Sequence, residues 1–107
     1  MKIQNKLVLY INTQDQKVIE VALKKEGQII KRLSEENKYG SQVLLPLIEK
    51  LLKSQKLDFK DLAEIEVETG PGSFTGLRVG VAVANALGFA LGIPVNGKKM
   101  ETEIEYA

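Results

Sequence analysis

The spacing of hydrophobic residues changes repeatedly along this chain, and each change marks a predicted element. Lys6 to Thr13 (KLVLYINT) is almost continuously apolar, the pattern of a central strand. Gln14-Asp15-Gln16 predicts a turn. Lys17 to Lys25 (KVIEVALKK) predicts a second strand and Gln28 to Leu33 (QIIKRL) a third, with Lys25-Glu26-Gly27-Gln28 as a hairpin turn between them. These three strands read as an antiparallel meander. After a polar connector the period lengthens, and a helix is predicted from about Gln42 to Gln55 with Ser41 as its N-cap. Its apolar residues, Val43, Leu44, Leu45, Leu47, Ile48, Leu51 and Leu52, span roughly 200° at about 100° per residue. One sheet face needs about half that arc, so this helix is either deeply buried or meets a partner along its second edge. Pro46 predicts a kink or a delayed start.

Leu57 to Leu62 predicts a short turn capped by Asp58. Ala63 to Glu68 predicts a fourth strand, in which Ile65 and Val67 alternate with Glu64, Glu66 and Glu68. Carboxylates at that spacing describe a wet sheet face rather than an acid–base site. Thr69 to Gly80 (TGPGSFTGLRVG) follows, and it launches a second helix that runs from Thr75 to Leu91. Strand, glycine-rich loop and helix is an arrangement that can present backbone N–H groups to an anion. Gly70, Gly72 and Ser73 are therefore candidate anion ligands, set against the plainer role of turn formation. Ser73 and Thr75 have a hydroxyl, but their expected role is to cap the helix. Within it Gly76, Gly80, Ala84, Gly88 and Gly92 recur every fourth residue, a ridge that allows another backbone to come close. That backbone belongs either to the sheet or to another subunit. Gly92-Ile93-Pro94-Val95 predicts a helix stop and a short fifth strand. The tail from Asn96 is charged, has no clear pattern, and is expected to be at least partly loose.

Composition narrows the chemistry. The chain has 107 residues, enough for one domain, with 15 basic and 14 acidic side chains for a net charge of +1. No basic run is present to follow a phosphate backbone. There is no cysteine and no histidine, which removes thiolate chemistry, the commonest general base and the commonest metal ligand. No catalytic residue, metal or cofactor is expected. The N-terminal segment lacks signal-peptide character, and Asn85 with the helix breakers that follow argues against a membrane span, so a cytoplasmic location is expected.

The order β-β-β-α-β-α-β outlines an α/β fold: a mixed five-stranded sheet with two main helices, the ribonuclease-H-like half-domain of actin-type ATPases. The loop Gly70-Pro-Gly-Ser-Phe-Thr-Gly-Leu-Arg78, the early strand ending in Asn12-Thr13, the Ser41…Leu44-Leu45-Pro46 helix start and the Gly92-Ile-Pro-Val95 closure resemble the TsaB (YeaZ) family. The resemblance runs from about Leu7 to Val95. It implies a non-catalytic scaffold subunit for TsaD in threonylcarbamoyladenosine modification of tRNA. The implied partners are a TsaD-like paralogue and a TsaE-like ATPase, with homodimers when the protein is alone and only indirect contact with tRNA. It also implies that the two helices form a pairing surface, mapped here to Leu44, Leu47, Ile48, Leu51, Gly76, Arg78, Gly80, Val83, Ala84 and Leu87. Three departures from the family are visible. Tyr39-Gly40 fills the place where relatives often have a His before the Ser of the first helix. Asn12 stands where actin-type ATPases place a phosphate-positioning Asp, and the family's second lobe is not in this sequence. The expected organisation is one lobe, 1–97, with a charged tail, 98–107. The alternative function is a small phosphate- or nucleotide-binding enzyme domain that uses the glycine-rich loop.

Overall fold

The computed structural model describes residues 6–36 and 42–105. Three strands, β1 (Leu7–Asn12), β2 (Val18–Lys25) and β3 (Gln28–Glu36), form the expected meander. β2 and β3 are joined by Glu26 and Gly27, both at positive φ (54° and 78°), as a two-residue turn matched to strand twist requires. Helix α1 (Leu44–Ser54) follows, then a short 3₁₀ turn (Phe59–Asp61), strand β4 (Glu64–Val67) and helix α2 (Phe74–Leu91). The sheet order is β3-β2-β1-β4, with β4 parallel to β1 and the other neighbours antiparallel.

Register makes the sheet two-sided. Leu9 lies between Leu23 and Ile65, and Ile11 between Val21 and Val67, so these residues share one face. All six are buried, and both helices cover that face: α1 through Leu44, Leu47, Ile48, Leu51 and Leu52, α2 through Leu77, Val81 and Ala84. The opposite face is a lattice of charge. Lys24 pairs with Glu66 at 2.8 Å, Arg32 with Glu20 at 2.6 Å and Lys6 with Glu64 at 3.6 Å. The Tyr10 hydroxyl donates to Glu68 at 2.7 Å, and burial followed by that hydrogen bond pushes the phenol well above its usual pKa. The wet face expected from Glu64, Glu66 and Glu68 is present.

Three details refine the expectation. The sheet has four strands, not five. Val95 makes a single-residue bridge to Ile65, and the chain then reverses through Asn96 (φ 52°) and Gly97 (φ 76°), with Val95 and Lys98 exchanging backbone hydrogen bonds. An Asn-Gly turn immediately after Val95, one residue beyond Pro94, leaves no length for a fifth strand. Pro46 goes with a delayed start, one of its two expected outcomes: the regular helix begins at Leu44 rather than Gln42. Pro46 is the third helical residue, in the first turn, where backbone N–H groups have no intrahelical acceptor and proline costs nothing. The expected cap Ser41 lies outside the described residues, and α1 begins at Val43 without a side-chain cap.

The tail is not loose over 98–105. Asn96 lines up with β4, where its amide accepts from Val67 N at 2.8 Å and donates to Val67 O at 3.0 Å. Ile104 packs on the core, and Glu105 N donates to Thr69 O at 2.7 Å. By length and composition α2 is long and apolar enough to cross a membrane, but only 33% of it is buried in the fold. That exposed apolar surface is unusual for a helix lying on a sheet and leads to the functional question.

Candidate interface on the second helix

The start of α2 is fixed by short-range chemistry. Ser73 has extended backbone, and its Oγ accepts from Gly76 N at 3.3 Å, the capping role expected of it. Ser73 N donates to Gln14 O at 3.0 Å, which ties the loop to the β1–β2 connection. In that connection Gln14 N donates to Asn12 Oδ1 at 3.1 Å, so Asn12 closes a turn. Gly70 precedes a cis bond to Pro71 and has φ 114°. A Cβ at Gly70 would strike the Glu105 carbonyl, and one at Gly72 would come within 2.7 Å of Gln14. These contacts give Gly70, Gly72 and Ser73 a turn-forming and capping role. The Ser73 amide and hydroxyl are both engaged, Gln14 fills the space beside Gly72, and a carbonyl oxygen of the wrong sign for an anion lies against Gly70.

Thr13 explains the glycine ridge. It is 1% exposed, and its hydroxyl donates to Gly76 O at 2.6 Å. A Cβ at Gly76 would collide with Thr13 O, one at Gly80 with Thr13 Oγ1, and one at Gly88 would come within 2.5 Å of Val95 Cγ2. The ridge thus faces this chain's own sheet. Leu44, Leu47, Ile48, Leu51, Gly76, Gly80 and Ala84 are all buried in the core, so a partner has no access to them. This corrects the pairing surface assigned to those seven residues: close approach to β1 and Val95, not to another subunit, requires the small residues. Val83 and Leu87 are half-buried against the core, and Arg78 is exposed.

The outward face of α2 is where apolar surface remains. Phe74 is 56% exposed and Phe89 90%, and Ala82, Ala86 and Ala90 are exposed at four-residue spacing on the same helix. The Arg78 guanidinium lies over the Phe74 ring at 5.4 Å. Arg78 is the one charged residue in α2. At its C-terminal end the face opens into a groove of about 630 Å³ bordered by Phe89, Ile93, Pro94 and Met100. The alanine row leaves room for a second helix to lie close, with Phe74 ahead of the row and Phe89 beside its last member. The expectation from sequence singled out the glycine row and did not foresee this exposed apolar face. The sign was available: if glycines occupy the inner side of an apolar helix, its phenylalanines must point elsewhere.

A second unforeseen cluster fastens the tail to α2. The Asn85 side chain donates to Glu101 O and accepts from Glu101 N, both at 2.8 Å. The buried Glu101 carboxylate accepts from Asn96 Nδ2 (2.7 Å), Lys98 Nζ (2.9 Å), Thr102 N (3.1 Å) and Glu103 N (3.0 Å). Burial alone pushes this carboxyl's pKa upward, but the hydrogen bonds from Asn96 and Lys98 and the Glu103 amide outweigh it and hold the group at about 2. The same contact raises the pKa of Lys98. Both carboxylate oxygens are engaged locally, which describes a structural knot rather than a reactive acid. Among the described residues no group of three or more His, Cys, Asp or Glu side chains is placed to hold a metal ion.

Comparison with known proteins agrees with this architecture. The family model described as TsaD, tRNA N6-adenosine threonylcarbamoyltransferase, matches residues 17–98. The tRNA threonylcarbamoyladenosine biosynthesis protein TsaB of Buchnera aphidicola (subsp. Schizaphis graminum) is 38% identical over 71 residues, covering 65% of this chain and 34% of that protein. TsaB of Bacillus subtilis is 32% identical over 89 residues, covering 83% of this chain and 39% of the relative. The solved structure of YeaZ from Pseudomonas aeruginosa superposes with a TM-score of 0.71 at 32% identity, over 84% of this chain and 42% of that one. The chain thus spans between a third and two fifths of the length of these curated relatives. Sheet, helices, glycine loop and matched residues agree in showing that the chain belongs to the TsaD family, among its TsaB (YeaZ) members.

Proposed function

We propose that this chain is a non-catalytic pairing subunit in the formation of threonylcarbamoyladenosine in tRNA. It docks on a TsaD-type catalytic partner through the outer face of α2, and it self-pairs through the same face when that partner is absent. The observation that carries this reading is an 18-residue helix of which a third is buried, with Phe74, Phe89 and an alanine row left outside. Contiguous exposed apolar surface of this kind is characteristic of an interaction site. The names of the relatives supply the process. A direct catalytic role is disfavoured by the sequence, which has no histidine or cysteine, and by the packing of the glycine loop against Gln14 and Glu105. In this arrangement tRNA is reached through the catalytic partner, and a TsaE-type ATPase joins the pair.

The test is co-purification with a TsaD protein, followed by sedimentation of the complex and assay of tRNA modification. The wild-type chain is expected to form a stoichiometric complex and to support modification. Ala86→Glu, which puts bulk and charge in the middle of the row, is expected to abolish the complex while thermal unfolding stays within about 0.5 kcal/mol of wild type. A wild-type chain that stays monomeric and ignores TsaD would overturn the proposal.

A further inference from the structure

We propose that Arg78 is the specificity element of this face. It selects a different chain over a second copy by requiring a carboxylate on the helix that docks there. The inference rests on the pairing role proposed above and names the chemistry of the partner surface. Three observations carry it. Among the described residues Arg78 makes no ion pair, and it is the one charge on α2. Its guanidinium is not free to roam, because it stacks at 5.4 Å on Phe74, one turn earlier on the same face. A held guanidinium loses less entropy when it meets a planar anion, and its fork fits a carboxylate with two parallel hydrogen bonds. Finally, α2 has no acidic residue anywhere in its 18 positions.

That last fact separates the possible occupants. A second copy that lays its α2 against this one brings alanines, phenylalanines and another Arg78, and nothing that answers the cation. Arg78 would then be desolvated without a partner, which disfavours the self-pair. A foreign helix with an apolar face and one Asp or Glu near the Phe74 end satisfies both the alanine row and the guanidinium. Self-association on this face is consequently the weaker pairing, replaced when the foreign helix is present.

The experiment measures affinity for the TsaD protein by calorimetry, and self-association by sedimentation equilibrium, for wild type, Arg78→Glu, Arg78→Lys and Arg78→Gln. Because Arg78 is exposed, all variants are expected to unfold at the wild-type temperature. Arg78→Glu is expected to weaken the hetero-pair by about tenfold or more and Arg78→Gln by less, while self-association is unchanged or tighter. Arg78→Lys keeps the charge without the planar fork and is expected to fall between wild type and Gln. Between about 50 and about 500 mM salt, wild-type affinity should fall more steeply than that of Arg78→Gln. Arg78→Glu binding as tightly as wild type overturns the inference and leaves the pairing role standing, as does loss of affinity with no difference in salt dependence. Wild type failing to bind TsaD overturns both.

Discussion

Helices α1 and α2 lie on the same sheet face and solve the same packing problem in opposite ways. α1 puts large residues inward (Leu44, Leu47, Ile48, Leu51 and Leu52) and leaves Glu49, Lys50 and Lys53 in water. Most of its apolar content is consumed within the chain, although Leu45 stays 44% exposed. α2 comes so near to Thr13 and Val95 that a Cβ has no room at Gly76, Gly80 and Gly88, and the buried residue between them is the small Ala84. Its larger side chains are displaced to the flanks and outward, where Phe74 and Phe89 remain exposed. Close packing on one side of this helix thus goes with exposed apolar surface on the other. Of the two readings of the apolar arc of α1, burial within the chain holds for its five large inward residues. The small-residue ridge of α2 also faces inward, and the proposed docking surface is on the reverse side.

The sharpest way to break this comparison is to enlarge the inner side of α2. Gly80→Leu places its first carbon on the hydroxyl of the buried Thr13 side chain, with the Thr13 Cβ and Cγ2 close behind. The expected cost is about 3 kcal/mol or more, from overpacking and from loss of the Thr13–Gly76 hydrogen bond. Urea unfolding read by circular dichroism should show a collapsed midpoint or no cooperative transition. A variant as stable as wild type would mean that the ridge is not packed on β1, and would return it to the role of intersubunit surface.

What was legible in advance follows from how local each signal is. The three-strand meander, both helices, the Glu26-Gly27 turn and the Ser73 cap depend on neighbours in sequence, and they were read correctly. Which side of α2 faces the sheet depends on Thr13, sixty-three positions from Gly76, and periodicity alone carries no such information. The missing fifth strand was readable, because Asn96-Gly97 is a strong turn signal, but Val95 after a helix stop drew attention to strand formation instead. The Glu101 knot had no local signature. Asn85, Asn96 and Lys98 look like ordinary polar residues until the tail folds back and brings them to one carboxylate.

That knot offers the next test. Asn85→Ala leaves the backbone N–H and C=O of Glu101 without partners at a part-buried site, at a cost of about 1–3 kcal/mol. Hydrogen exchange at 99–105 should accelerate well beyond the rest of the chain. Uniform acceleration across the sheet would instead show that the tail and lobe unfold as one unit.

A smaller effect comes from acid. The Glu101 carboxyl lies at about 2 in the folded chain, below the usual value near 4.5. A depressed carboxyl contributes stability that is fully present above the unfolded-state pKa and is lost as pH falls through the folded one. Wild-type stability should therefore decline between about pH 4.5 and about pH 2. Glu101→Gln removes this contribution by turning an amide NH₂ toward the Lys98 and backbone donors. It should be less stable than wild type at pH 7, and the two curves should converge toward pH 2. Parallel curves would assign the acid response to other carboxylates.

The smallest effect on the fold, and the most discriminating for function, is a matched pair of surface charges. Lys50→Glu on the outside of α1 and Ala86→Glu on the outside of α2 change exposed positions in helical backbone, and each should move stability by no more than about 0.5 kcal/mol. On binding they should diverge. The outer face of α1 already mixes Glu49 with Lys50 and Lys53, so one more carboxylate there alters little that a partner would bury. Ala86 lies between Ala82 and Ala90 with Phe89 beside it, and a glutamate there holds an approaching helix away from the row. Pull-down by TsaD should fail for Ala86→Glu and persist for Lys50→Glu. Equal loss in both would place the docking surface across the two helices together and remove the distinction between a helix whose apolar residues are mostly consumed inside and one whose apolar residues are displaced outward.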